Sequence, residues 1–234
     1  LTNPPGFTAW SFSRYNKYTK CPQQAKFEMI DKLPTPGSKA MDRGSAIHGW
    51  AEEFITRKRA DLVPELQGFA TVFADLRTGY GNSVVAEDSW AFRQDWTVTT
   101  YDDWDACWLR IKVDAAQLVG NDLNILDWKT GKFAPKWNVE EYEKQLELYS
   151  LGALTLFGPA IPEIRVTPSL VYLDAGIVYP DHPKTYTMEN LPTLRKTWEI
   201  RVRAMMSDRI FAPNPGRQCE WCAFAKAKGG PCAY

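Results

Sequence analysis

Two carboxylates and a lysine stand in the middle of the chain with a spacing that suits chemistry. Asp114 closes the run Arg110-Ile111-Lys112-Val113-Asp114, and Asp127 and Lys129 flank Trp128 in Ile125-Leu126-Asp127-Trp128-Lys129. Such a set can hold a hard divalent cation and a water beside a phosphodiester. Strand side chains alternate, so Asp127 and Lys129 share a face and Trp128 points away. Gly120-Asn121-Asp122 supplies the turn between the two runs. A two-residue turn at Gly120-Asn121 sets Asp114 opposite Asp127, and one at Asn121-Asp122 sets it opposite Lys129. Either register gathers the three polar groups on one face. A three-residue loop would pair Asp114 with Trp128 and break the set unless a bulge intervenes. The competing reading is a solvated charged hairpin, and the apolar Val113, Leu126 and Trp128 on the other face argue against it.

Other polar residues add to the pattern. His48, one of 2 histidines, follows Ile47 near the edge of an apolar helical stripe and can point into a cleft. Gln145 and Tyr149 lie one helical turn apart and face the same way. Alone, each reads as an ordinary structural residue.

The elements that must position these groups are legible in outline. Ser11 or Ser13 caps a helix carrying Tyr15 and Tyr18 towards Cys21-Pro22. Leu33 to Ser38 is a loop by composition. Ile47, Trp50, Ala51, Phe54 and Ile55 have helical spacing, and a second helical pattern covers roughly Pro64 to Tyr80. Strand character runs from Trp90 to Lys129, with Trp96, Val98 and Thr100 alternating, then Leu109, Ile111 and Val113. Val139 to Ala153 marks a third helix, Ser169 to Tyr179 a buried strand, and Leu191 to Ile210 a long basic helix. The order predicts an α/β mixed sheet flanked by helices in one domain: 1–85 mainly helical, 86–190 the sheet, 191–234 a helix and cysteine tail.

With 28 Lys and Arg against 28 Asp and Glu, net charge cannot hold a polyanion, so any nucleic-acid contact must use a local basic groove. The Asp102-Asp103-Trp104-Asp105 run reads as a solvated loop. No apolar run reaches membrane-spanning length and the start lacks signal-peptide features, so cytosolic residence is expected. Of 5 cysteines, Cys219, Cys222 and Cys232 crowd the tail, a pattern that favours metal over disulfide in the cytosol. Cys107, within a strand beside Trp108, reads as a buried hydrophobe. Trp137, near Lys132 and Lys136, is the best-placed residue for stacking on a nucleobase.

Taken together, Ser11-Phe12-Ser13-Arg14 with Tyr18 and Cys21-Pro22, Arg43 to His48, Val113-Asp114, Leu126 to Lys132, Gln145 to Tyr149 and the terminal cysteines resemble the RecB-like branch of the PD-(D/E)XK nucleases. That branch includes CRISPR-associated and phage-encoded exonucleases. The resemblance implies a restriction-endonuclease-like core and Mg²⁺ or Mn²⁺ held by His48, Asp114, Asp127 and the Trp128 carbonyl. Lys129 would orient the attacking water, and Gln145 and Tyr149 would position the DNA backbone. It also implies a [4Fe–4S] cluster on Cys21, Cys219, Cys222 and Cys232, with Zn²⁺ as the competing group because the gap from Cys222 to Cys232 is longer than the family's. The implied activity is a DNA exonuclease acting on single-stranded ends in recombination, repair or phage DNA processing, in bacterial or phage-infected cytoplasm and alongside processing proteins. A catalytically silent DNA-binding or scaffolding subunit is the alternative, and the intact Asp114, Asp127 and Lys129 argue against it.

Overall fold

The hairpin takes the first of the two registers. In the computed structural model, which describes residues 6–234 except for the side chains of 135–137, Val119 pairs with Asp122 across Gly120-Asn121. Gly120 has φ 60°, the left-handed backbone such a tight turn demands of one residue. The arms are β3 (Leu109–Val119) and β4 (Asp122–Lys129).

Around them the sheet has the order β2-β1-β3-β4-β5-β6, with β1 Val84–Phe92, β2 Val98–Thr99, β5 Arg165–Tyr172 and β6 Ile177–Tyr179. Only β4 and β5 run parallel, so the sheet is mixed as expected. Their crossover is α5 (Pro135–Phe157). Helices α1 (Phe12–Lys20), α5 and α6 (Leu191–Ser207) cover one face, over a core that includes Trp10, Ile111, Ile125, Leu151 and Trp198. Helices α3 (Lys39–Ile55) and α4 (Ala70–Gly79) cover the other, around Ile47, Phe73 and Trp128. A short α2 (Pro22–Met29) follows Cys21.

Local rules explain the helix starts. Ser11 caps α1 by accepting from the Arg14 amide, and Ser38 caps α3 by accepting from the Met41 amide. On α5, a side chain at Gly152 would meet Ile111 Cδ1 at 2.5 Å, so the missing Cβ lets the helix settle onto the sheet.

Three expectations need correction. Ser169 to Tyr179 is not one strand, because the chain turns back after Tyr172 and Gly176 carries φ 67° in the turn. The strand expected around Trp96 shrinks to β2, since Trp96 sits in a turn with φ 68°. Cys107 is buried as expected but precedes β3 instead of lying within it.

Candidate active site

The β3–β4 ladder stops at Ala115 paired with Leu126, so the strands part at Asp114 and Asp127. At the far end Trp10 takes the edge of β3 that β4 has left, its amide donating to the Trp108 carbonyl and its carbonyl accepting from the Arg110 amide. In the gap, Asp114 Oδ2 accepts from the Trp128 amide at 2.7 Å, replacing the lost ladder partner.

The facing of side chains inverts at this point. Leu109, Ile111 and Val113 pack towards α5, yet so does Ala116, while Ala115 packs under α3 and α4. Strand β1 inverts beside it: Val84 and Ala86 lie under α3 and α4, and Trp90 and Phe92 face α5. The irregular residues lie between the pairs Ala86–Ala115 and Asp88–Val113. They are Glu87, held at φ 51°, and Asp114. A non-glycine residue in left-handed backbone is strained, and here the strain turns a carboxylate towards Asp114.

His48, from the middle of α3, completes the cluster. Its Nδ1 lies 3.1 Å from Asp114 Oδ1. Among the described residues, the one group of three His, Cys, Asp or Glu ligand atoms mutually within 4.8 Å belongs to His48, Glu87 and Asp114. Glu87 was not singled out from the sequence. The only available signal was an acid on the strand preceding the hairpin, and many strands carry one.

Asp127 faces α5. Its Oδ1 accepts from the Tyr149 hydroxyl and, at 3.3 Å, from Gln145 Nε2, which also donates to Tyr149 at 2.8 Å. Its Oδ2 is buried without a hydrogen bond and has Lys129 Nζ 2.6 Å away as its ion-pair partner. The polar ends of Gln145 and Tyr149 therefore meet the carboxylate, and the Tyr149 ring is buried. Trp128 turns its ring to the opposite core against Phe73. Trp137 lies in the first turns of α5, where its side chain is outside the described residues.

Crowded negative charge marks the site. Burial opposes charge on His48, but the Asp114 hydrogen bond and the charges of Asp114, Asp127 and Glu87 outweigh it and raise its pKa. Burial and then the charge of Asp127 raise that of Asp114, against the lowering effect of His48 and the Trp128 amide. Burial and the same two acids push the Tyr149 hydroxyl well up, so it stays a donor. A site that raises the proton affinity of both a histidine and its carboxylate partner is short of positive charge. Oxygen and imidazole ligands match Mg²⁺ or Mn²⁺, and the residues fit such an ion.

At the other end of the chain Cys21, Cys219, Cys222 and Cys232 line one cavity of about 20 Å³ beside Phe27 and Phe224. The Asn214 amide donates to Cys21 Sγ and the Gly216 amide to Cys219 Sγ, each at 3.5 Å. Amides aimed at sulfur are the partners that thiolate ligands use.

The mixed sheet flanked by helices is of the restriction-endonuclease-like class, and in this chain buried acids and a lysine stand where the central ladder breaks. The chain belongs to the PD-(D/E)XK nuclease superfamily, whose family model matches residues 9–227. Comparison with curated proteins returns no match. Among solved structures, the chain is similar to SSO0001 (14% identity, covering 97% of this chain and 90% of that one, TM-score 0.41). It is also similar to a candidate exonuclease from Eubacterium rectale (11% identity, covering 92% and 87%, TM-score 0.48). No helix among the described residues is long and apolar enough to cross a membrane.

Proposed function

We propose that the chain is a Mg²⁺- or Mn²⁺-dependent DNA exonuclease that hydrolyses phosphodiester bonds at single-stranded ends. The observation that carries this reading is the meeting of His48, Glu87 and Asp114 beside the Asp127–Lys129 contact. His48, Asp114, Asp127 and the Trp128 carbonyl, now with Glu87, are the groups that would hold the ion. When bound, it supplies Lewis-acid polarisation of a phosphoryl oxygen and lowers the pKa of a water. Lys129 orients that water and offsets charge as the phosphate develops it. Tyr149 and Gln145 keep Asp127 in place. Single-stranded ends of this kind arise in recombination, repair and phage DNA processing.

The four cysteines hold a metal group that ties the tail to α1 and α2. Sulfurs around one tetrahedral zinc stand about 3.8 Å apart, as bonds of about 2.3 Å require. A [4Fe–4S] cluster, the group the resemblance implies, is larger than a single zinc, and metal content decides between them.

End-labelled single strands, end-labelled duplexes and a covalently closed circle, each with Mg²⁺ and Mn²⁺, test the reading. The chain degrades the labelled single strand and spares the circle. Lys129→Ala lowers the rate by about 10²-fold or more, as loss of a charge-stabilising group does. A folded Lys129→Ala protein with full Mn²⁺-dependent activity overturns the assignment, and cutting of the circle overturns the exonuclease part.

A further inference from the structure

The α3 side of the site opens into a cavity of about 460 Å³ whose walls include Gly44, Ser45 and Gly49 of α3, Glu87 of β1, and Lys112 and Asp114 of β3. A Cβ on Gly49 would meet nothing within 4 Å, so the helix wall leaves room for a strand to approach. The cavity is acidic, because Glu52 lines it as well. Its lining contains one lysine and no arginine: Lys112, with Nζ 2.5 Å from Glu87 Oε2 and a side chain 58% exposed. Lys129 is not part of this lining, and its ammonium contacts Asp127. A phosphodiester entering here therefore meets three carboxylates, the His48 imidazole and a single side-chain ammonium.

We propose that Lys112 is a substrate-positioning residue, holding a phosphate that flanks the scissile one, and that its contact with Glu87 competes with a divalent cation for that carboxylate. The inference rests on the nuclease reading above and adds the element of substrate that this wall recognises. Were a cation held by His48, Glu87 and Asp114, Glu87 would be shared with it, and the Lys112 ammonium would be freed for the strand. Loading of the site and grip on the DNA are thereby coupled through one ion pair.

The test uses the full chain as wild type, Lys112→Met and Lys112→Arg. Binding of a fluorescent oligothymidylate is measured in Ca²⁺ over a range of salt, Mn²⁺ binding is measured alone by calorimetry, and kcat and KM are measured in Mn²⁺. Lys112→Met is expected to weaken strand binding and raise KM by about tenfold, with kcat changed much less. Its slope of log affinity against log salt becomes shallower by about 0.7, the share of one single-strand phosphate contact. Its Mn²⁺ affinity rises, and Lys112→Arg restores strand binding. An unchanged salt slope overturns the proposal, as does a fall in kcat at constant KM or a weaker Mn²⁺ affinity in Lys112→Met. If the wild type binds the strand but does not cleave it, the nuclease reading fails while the salt slope still decides the role of Lys112.

Discussion

In the proposed reading Glu87 and Lys112 pull on the candidate metal site in opposite directions. Glu87 adds a carboxylate to His48 and Asp114, and its ammonium neighbour occupies one of its oxygens. Replacing it by glutamine keeps the shape and removes the charge, so Glu87→Gln is expected to weaken Mn²⁺ binding by about tenfold or more, the lower end for disturbed metal sites. Calorimetry with Mn²⁺ alone checks it, and equal affinity in variant and wild type would remove Glu87 from the ligand set. At this scale the sequence was readable where a residue's role follows from position along a strand or helix. Strand alternation and the two-residue turn put Asp127 and Lys129 on one face with Asp114 near them, but Asp114 reaches His48 only because the facing inverts beside it, which alternation does not encode. Glu87 was not readable, because its direction depends on a single left-handed backbone angle that no periodicity encodes.

At the scale of elements, the site depends on α5 lying close to the sheet, since Tyr149 and Gln145 reach Asp127 from it. Gly152 sets that distance. A Cβ there would stand 2.5 Å from Ile111 Cδ1 and 3.1 Å from Trp90, both buried. A branched side chain overfills the contact, and Gly152→Val is expected to cost about 2 kcal/mol, lowering the thermal midpoint by about 4–8 °C. A midpoint equal to or above that of the wild type would show that the interface has slack. Helix α1, with its serine cap, was legible to within a few residues, whereas for α3 only the apolar stripe from Ile47 to Ile55 was, its start at Lys39 lying in a run without periodic apolar residues. The β5–β6 hairpin was not, because both strands are rich in β-branched and aromatic residues and the short turn at Leu173-Asp174-Ala175-Gly176 interrupts them with only one strong signal, Gly176.

Across the whole molecule, Cys21, Cys219, Cys222 and Cys232 line one cavity, so a metal group held there would close nearly the entire chain into one loop. A cross-link over about 200 residues withholds about 5 kcal/mol of freedom from the unfolded chain, an upper value that residual structure reduces. Spacing in the tail favoured a metal group and the family resemblance added Cys21, and the fold lines one cavity with all four cysteines, α2 lying beside the tail. Phe27 packs against Phe224 with the rings tilted by 60° at a centroid distance of 5.4 Å, so the sulfur cavity adjoins an apolar contact that can persist without metal. The ends should therefore loosen without the sheet melting. Cys232→Ser is expected to bind less iron or zinc and to lower the thermal midpoint by about 4 °C or more. Faster hydrogen exchange should be confined to α1, α2 and the residues after Phe211. Colour and metal content separate the two groups, since an iron–sulfur protein purified without oxygen is brown and a zinc protein colourless. A wild type and a Cys232→Ser variant with equal metal content, equal midpoint and equal exchange would mean that the cysteines pack as ordinary side chains and that aromatic contact alone closes the chain.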